Sequence, residues 1–205
     1  PRRFGKSLFL STLEAYFLGK KELFKGLYLE HAEPELAAAQ GRDAWQEHPV
    51  LFLKLSDNNN KIPGALEINL NDQLAGWEKL YGTEPSEQDL ATRFRGIIRR
   101  ACEQEGRQVV LLIDEYDKPL IDTLGDPELH TKIKNTLHGF YSVIKGSSEY
   151  LRFVFLTGVT RFSKVGIFSG LNNLEDLSMR SAYAGICGIT QTELTENFAP
   201  EIEAL

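Results

Sequence analysis

Gly5-Lys6-Ser7 stands at the head of an amphipathic stretch, Leu8 to Leu18, and each of its residue types has a use against a phosphate chain. Glycine lets backbone approach an oxyanion closely, a lysine ammonium reaches β- and γ-phosphates, and a serine hydroxyl can ligand Mg²⁺. A helix N-terminus adds amides without intrahelical acceptors and the positive end of the helix dipole. The tripeptide is the tail of the pattern G-x-x-x-x-G-K-[ST], whose first glycine would fall one position before Pro1. Alone, it equally describes an ordinary loop with an exposed lysine ahead of a helix.

A second segment gives the first a partner. Val109-Val110-Leu111-Leu112-Ile113 is an apolar run without alternation, and it ends in Asp114-Glu115. Such a run predicts a strand buried on both faces, as in a parallel sheet. At the carboxyl end of that strand, an aspartate can hold Mg²⁺ and the next glutamate can polarise an attacking water. This is the Walker B arrangement; a solvated strand end is the plainer alternative. Together with Gly5-Lys6-Ser7, the pair points to nucleotide binding.

Two other strand ends carry suitable groups. Leu151 to Thr157 reads as a buried strand followed by Gly158-Val159-Thr160-Arg161, where Thr157, with Thr160 and Arg161, could touch a γ-phosphate or orient water. Arg161 matches phosphate bidentately, although a surface arginine paired with an acid reads as well. Ser56-Asp57 is the least specific of the three ends. Arg2-Arg3 could add charge near phosphates or be solvated loop residues. Lys118 follows Glu115 and Asp117 closely enough to neutralise them as a structural ion pair, with Tyr116 and Pro119 shaping the turn.

The elements that must hold these groups alternate along the chain. A strand is expected over 49–55, helices over 66–81 and 86–105, a helix over 127–145 with Gly146 past its end, and a last short strand over 182–187. Ser86-Glu87-Gln88-Asp89 resembles a capping box, and Thr190-Gln191-Thr192-Glu193 is one for a terminal helix. The stretch 22–47, punctuated by Pro34 and Gly41, reads as loop and helix fragments, and 163–173 as a glycine-rich loop. Strands alternating with helices predict an α/β fold with a mostly parallel sheet and helices on both faces. A phosphate loop needs a strand before it, and that first strand is expected to precede this chain.

Composition narrows the rest. At 205 residues the default is one domain with a substantial core. A net charge of −6 argues against a broadly basic nucleic-acid surface, so direct binding of nucleic acid is not expected. Cys102 and Cys187 are far apart and show no metal spacing, and the four histidines form no ligand pattern, which suits a reduced cytoplasmic setting. No apolar run is long enough for a membrane span.

Four segments taken together resemble one family. Pro1 to Leu8, Asp114-Glu115-Tyr116-Asp117-Lys118-Pro119-Leu120, Leu156 to Ser163 and Ile167 to Leu174 are similar to the bacterial AAA-ATPase-like family. Its members typically join this domain to a C-terminal domain of the PD-(D/E)XK nuclease superfamily. The likeness covers nearly all of the chain. It implies a three-layer P-loop NTPase of the additional-strand, catalytic-glutamate class, spanning 1–205 as one domain truncated at both ends, with ATP and Mg²⁺ as cofactors. By motif position, Arg3, Phe4, Gly5, Lys6, Ser7, Leu8, Thr157 and Arg161 would surround the nucleotide. Ser7 and Asp114 would hold the metal, with Lys6 and Glu115 catalytic and Thr157 a polar sensor. The implied activity is ATP hydrolysis driving a conformational change in an attached, possibly nuclease-like, domain. A nucleotide-binding switch with little turnover and a regulatory module of a nuclease-associated protein are the alternatives; no nuclease trio is evident in the chain itself.

Overall fold

The computed structural model describes residues 4–56, 58–159, 167, 174–178 and 180–203. Three strands, β1 (Val50–Lys54), β2 (Val109–Asp114) and β3 (Leu151–Leu156), form a parallel sheet in the order β1-β2-β3. Every residue of the central β2 is buried, the consequence of an apolar run with neighbours on both edges and both faces. Period-two alternation sorts its side chains. Val109, Leu111 and Ile113 join Leu51 and Leu53 on one face, whereas Val110 and Leu112 join Val50, Phe52, Phe153 and Phe155 on the other.

Helices cover both sets. The first is α1 (Lys6–Phe17), which places Leu10, Leu13 and Phe17 on Val110 and Leu112. Its Phe9 and Phe17 meet Phe155 and Phe153 of β3 with ring centroids 5.5 Å apart in each pair. The opposite face is packed by α3 (Ala65–Tyr81), α4 (Leu90–Glu105) and α6 (Pro127–Gly146). Apolar residues at helical spacing do this packing: Leu66, Leu70 and Leu74 of α3, Phe94, Ile97 and Ile98 of α4, and Ile133, Leu137, Phe140, Tyr141 and Ile144 of α6 are all buried. Phe94 and Phe140 stack at 4.4 Å, pinning α4 to α6.

Several expectations need correction. Residues 28–40 form one helix, α2 (Tyr28–Gln40), with Pro34 inside it, rather than fragments. The alanine-rich tail supplies the propensity, and a buried glutamate next to the proline anchors the turn where a backbone hydrogen bond is lost. The strand expected over 182–187 is absent. A 3₁₀ turn, Ser181–Tyr183, stands there, followed by Gly185 and by Gly188 in a left-handed conformation that interrupts extended backbone. The capping box of α4 is Asp89 with Thr92, not the residues from Ser86, because Glu87 instead meets Arg100. Gly146 lies within α6, not past its end. A five-residue helix, α5 (Lys118–Asp122), follows β2 unannounced. The capped terminal helix occurs as α7 (Gln191–Asn197), continued by α8 (Ala199–Glu203). Among the described residues no helix is long and apolar enough to cross a membrane.

Candidate functional site

Sheet parity decides which way the acid of β2 faces. Asp114 follows Val110 and Leu112 at two-residue spacing, so it shares the face that α1 covers. Thr157, just beyond β3, stands likewise in phase with Phe153 and Phe155. A one-residue slip in register would turn both groups to the other face. The parallel pairing also aligns the carboxyl ends: Lys54 is opposite Asp114 and Leu156 opposite Ile113.

The result is a three-segment junction on one carboxylate. Ser7 Oγ donates to Asp114 Oδ2 at 2.7 Å, across 107 positions of chain. Thr157 Oγ1 donates to Asp114 Oδ1 at 2.6 Å. Asp114 and Thr157 are buried, at 6% and 7% exposure, while Ser7 at the helix start is exposed. Hydrogen bonds onto a carboxylate are among the stronger ones, about 1.5–3 kcal/mol each, and these two tie α1 and the end of β3 to β2.

Gly5 sets the approach. It is the N-cap of α1 in a left-handed conformation, φ 84°, which side chains other than glycine rarely adopt. It has no side chain with which to cap the first amides of α1, and its carbonyl accepts from Phe9 N at 2.8 Å. Lys6 is the first residue of the helix, adjacent to the Ser7–Asp114 bond. Phe4 and Leu8, on either side, are exposed, and the Phe4 carbonyl accepts from Gly188 N at 3.0 Å, bringing the C-terminal segment to the loop.

Glu115 has an unusual backbone. Its φ is 55°, one of two positive values among the described non-glycine residues. For a residue bearing a Cβ that conformation costs roughly 1–2 kcal/mol and persists only where its surroundings enforce it. The turn is held by Tyr116 N donating to Thr157 O at 2.9 Å and Lys118 N donating to Glu115 O at 3.0 Å. From beneath, the buried Tyr141 hydroxyl reaches Tyr116 O at 3.4 Å. Burial, and then the neighbouring Tyr116 and Asp117, push that phenol above its ordinary range, so it stays a donor.

Thus Gly5, Ser7, Asp114 and Thr157 are assembled in one place, with Lys6 and Glu115 next to them in the chain. Arg3 and Arg161 lie outside the described residues, as do Arg2, Asp57, Thr160 and the 163–173 loop apart from Ile167. Lys118 does not neutralise Glu115 or Asp117 in the manner expected. Its ammonium meets both oxygens of Asp122 at 2.5 Å, one helical turn on, and Asn60 Nδ2 donates to the same carboxylate at 3.0 Å. Asp117, expected only as an ion-pair partner of Lys118, is placed differently. Its position before a helix start with Pro119 suggests an ordinary N-cap, but its carboxylate does not cap α5. Both its oxygens instead accept from Val159 N, at 3.1 and 2.9 Å. Only the tertiary fold shows that.

A parallel α/β sheet whose central acid meets the hydroxyl of a Gly-Lys-Ser helix start is consistent with a P-loop-like nucleotide-binding fold. Comparison with known proteins agrees: residues 1–168 match the AAA-ATPase-like family, described as predicted AAA-ATPases, and the chain belongs to that family. It is also similar to a protein of Azotobacter chroococcum mcd 1 described as an uncharacterized protein in the vnfD 5′ region. The two are 41% identical over 208 residues, covering 100% of this chain and 38% of that relative. The chain therefore spans well under half of its relative's length. No solved structure matches.

Proposed function

We propose that this chain is the ATP-binding, Mg²⁺-dependent hydrolase module of a larger protein, a three-layer P-loop NTPase. The observation that carries the reading is the single carboxylate of Asp114 receiving Ser7 from the loop and Thr157 from the neighbouring strand. Family membership supports nucleotide binding; the roles below are the proposal.

The donor set suits the metal. Mg²⁺ prefers oxygen ligands and usually keeps waters and phosphate oxygens alongside one or two protein groups. Ser7 and Asp114 offer a hydroxyl and a carboxylate that already touch. Bound there, Mg²⁺ would offset the negative charge of the phosphates. The amides at the start of α1 and the Lys6 ammonium would bind the β- and γ-phosphates and stabilise the charge that develops on transfer. Glu115 would orient and polarise the water, and Thr157 would hold Asp114 in place and report on the γ-phosphate. Arg3, Phe4, Leu8 and Arg161 would complete the surroundings of the nucleotide. Release of phosphate would then reposition a further domain, the nuclease-like one being the first candidate, in a cytoplasmic protein.

Two substitutions test this in purified protein. Lys6→Ala removes a charged hydrogen-bonding partner, so ATP affinity measured by calorimetry should fall about tenfold or more. Glu115→Gln should leave affinity near that of the wild type and lower phosphate release by about a hundredfold. Hydrolysis at the wild-type rate by Glu115→Gln would sink the mechanism. Tight binding with no phosphate release by the wild type would mark a nucleotide-dependent switch instead.

A further inference from the structure

We infer that Asp117 is a positioning residue for Glu115, an inference that rests on the hydrolase reading above. Asp117 is fully buried, and a buried carboxylate must be given donors to be tolerated. One such donor comes from the segment that follows β3. Both oxygens accept from Val159 N, two residues past Thr157. Asp114 and Asp117 thus form two clasps between the same pair of segments. One holds the Thr157 hydroxyl and the other the Val159 amide, and Tyr116 N reaches Thr157 O between them. Glu115 sits inside this bracket.

The opposite side of the bracket has been cleared to let it close. A Cβ on Gly158 would fall 2.6 Å from Tyr116 Cε1 and 2.7 Å from Asp117 Oδ1. Both are closer than real contacts allow, so the two segments meet with only a hydrogen atom between them. Asp117 also starts α5, its carbonyl accepting from Leu120 N at 3.1 Å and Ile121 N at 3.0 Å. The carboxylate joins that helix start to the segment after β3, and the left-handed turn at Glu115 connects β2 to the same helix start. Release of the clasp frees that turn to relax to the cheaper right-handed region, carrying the Glu115 carboxylate with it.

The test compares Asp117→Ala, Asp117→Asn and Gly158→Ala with the wild type, measuring affinity for a fluorescent ATP analogue and steady-state phosphate release. A positioning role predicts a split between the two readouts. Affinity should stay within about threefold, while kcat falls roughly tenfold to a hundredfold in Asp117→Ala, the range that a small misplacement of a reacting group costs. Asp117→Asn keeps an acceptor oxygen for Val159 N and should recover most of the rate. Gly158→Ala attacks the bracket from the segment after β3, pressing a methyl group against Tyr116 and Asp117 while leaving every carboxylate in the sequence, and should reproduce the loss. It also decides the matter if Asp117→Ala fails to fold. Wild-type rates in folded Asp117→Ala or Gly158→Ala would overturn the inference while leaving the hydrolase reading intact. Equal losses of affinity and rate would overturn it too, since they mark general damage. A wild-type protein that binds ATP and never turns it over would remove both together.

Discussion

Glu115 carries a conformational cost that its neighbours do not, and the cost can be measured separately from catalysis. Its φ of 55° is unfavourable for any residue with a Cβ. Glycine is indifferent to that region, although it brings extra chain entropy to the unfolded state. Glu115→Gly and Glu115→Ala both remove the carboxylate and should both lack turnover. They should differ in stability, with the glycine variant more stable than the alanine variant by about 1 kcal/mol in urea unfolding. Equal stabilities would mean that the turn is not left-handed. At this scale the sequence was informative about residue type and silent about backbone. Gly5-Lys6-Ser7 and Asp114-Glu115 stand out because the proposed phosphate and metal chemistry would need those groups at element ends. The strain at Glu115 and the clasp at Asp117 do not, because each depends on a strand that returns some forty positions later.

Among the elements, α2 shows a different economy, in which one buried acid holds a helix that its own sequence interrupts. Glu33, 1% exposed, accepts from Arg42 Nη1 at 2.6 Å, Arg42 Nη2 at 3.1 Å, Tyr16 Oη at 2.7 Å and Trp45 N at 3.1 Å. It thereby joins α2 to α1 and to the segment before β1. Arg42 hydrogen bonding, and after it the Tyr16 and Trp45 bonds, outweighs burial and holds the Glu33 carboxyl below its ordinary value of 4.5. A carboxyl lowered on folding contributes stability above its unfolded pKa and loses it as pH falls through the folded one. Glu33→Gln should therefore cost about 2 kcal/mol at pH 7, less than a fully buried pair because Arg42 is partly solvated. The gap between variant and wild type should narrow as pH drops below about 4.5. Urea titrations at pH 7 and pH 3 check this, and a gap of constant size would refute it. The same region explains why α2 was hard to read: Pro34 is a breaker in isolation, and the contact that compensates it is tertiary. Residues 182–187 mislead in the opposite sense, since Ala-Tyr-Ala-Gly-Ile-Cys is a short run of non-polar residues like a strand but contains Gly185 and is followed by Gly188. The strands that read true, at β1, β2 and β3, are those whose apolar runs are buried by neighbours.

For the molecule as a unit, the alternation of strands and helices was enough to predict a parallel sheet, whereas the strand order and the helix on each face emerge only from packing. That packing gives the proposed ligand mechanical leverage. The junction at Asp114 gathers the start of α1, the centre of the sheet and the end of β3, segments that lie far apart in sequence. A ligand bound across it is absent from the unfolded chain, so it must stabilise the fold by mass action. At about a hundred times its dissociation constant the gain is about 2.7 kcal/mol. In a domain near 200 residues each kcal/mol moves Tm by roughly 2–4 °C, so ATP with Mg²⁺ should raise Tm by about 5–10 °C. Chelation of the metal should remove most of that rise. Ser7→Ala deletes the hydroxyl shared between α1 and Asp114 and should lower the starting Tm slightly, by the worth of about one hydrogen bond, about 1 kcal/mol. Its more telling effect is that the response to Mg²⁺ should shrink while a response to nucleotide alone persists. Lys6→Ala should show a markedly smaller rise with either, in keeping with its weakened affinity. A Tm rise of wild-type size in Lys6→Ala would place the nucleotide somewhere other than the start of α1, and the loop, the metal ligands and the water-directing glutamate would all have to be sought elsewhere in the fold.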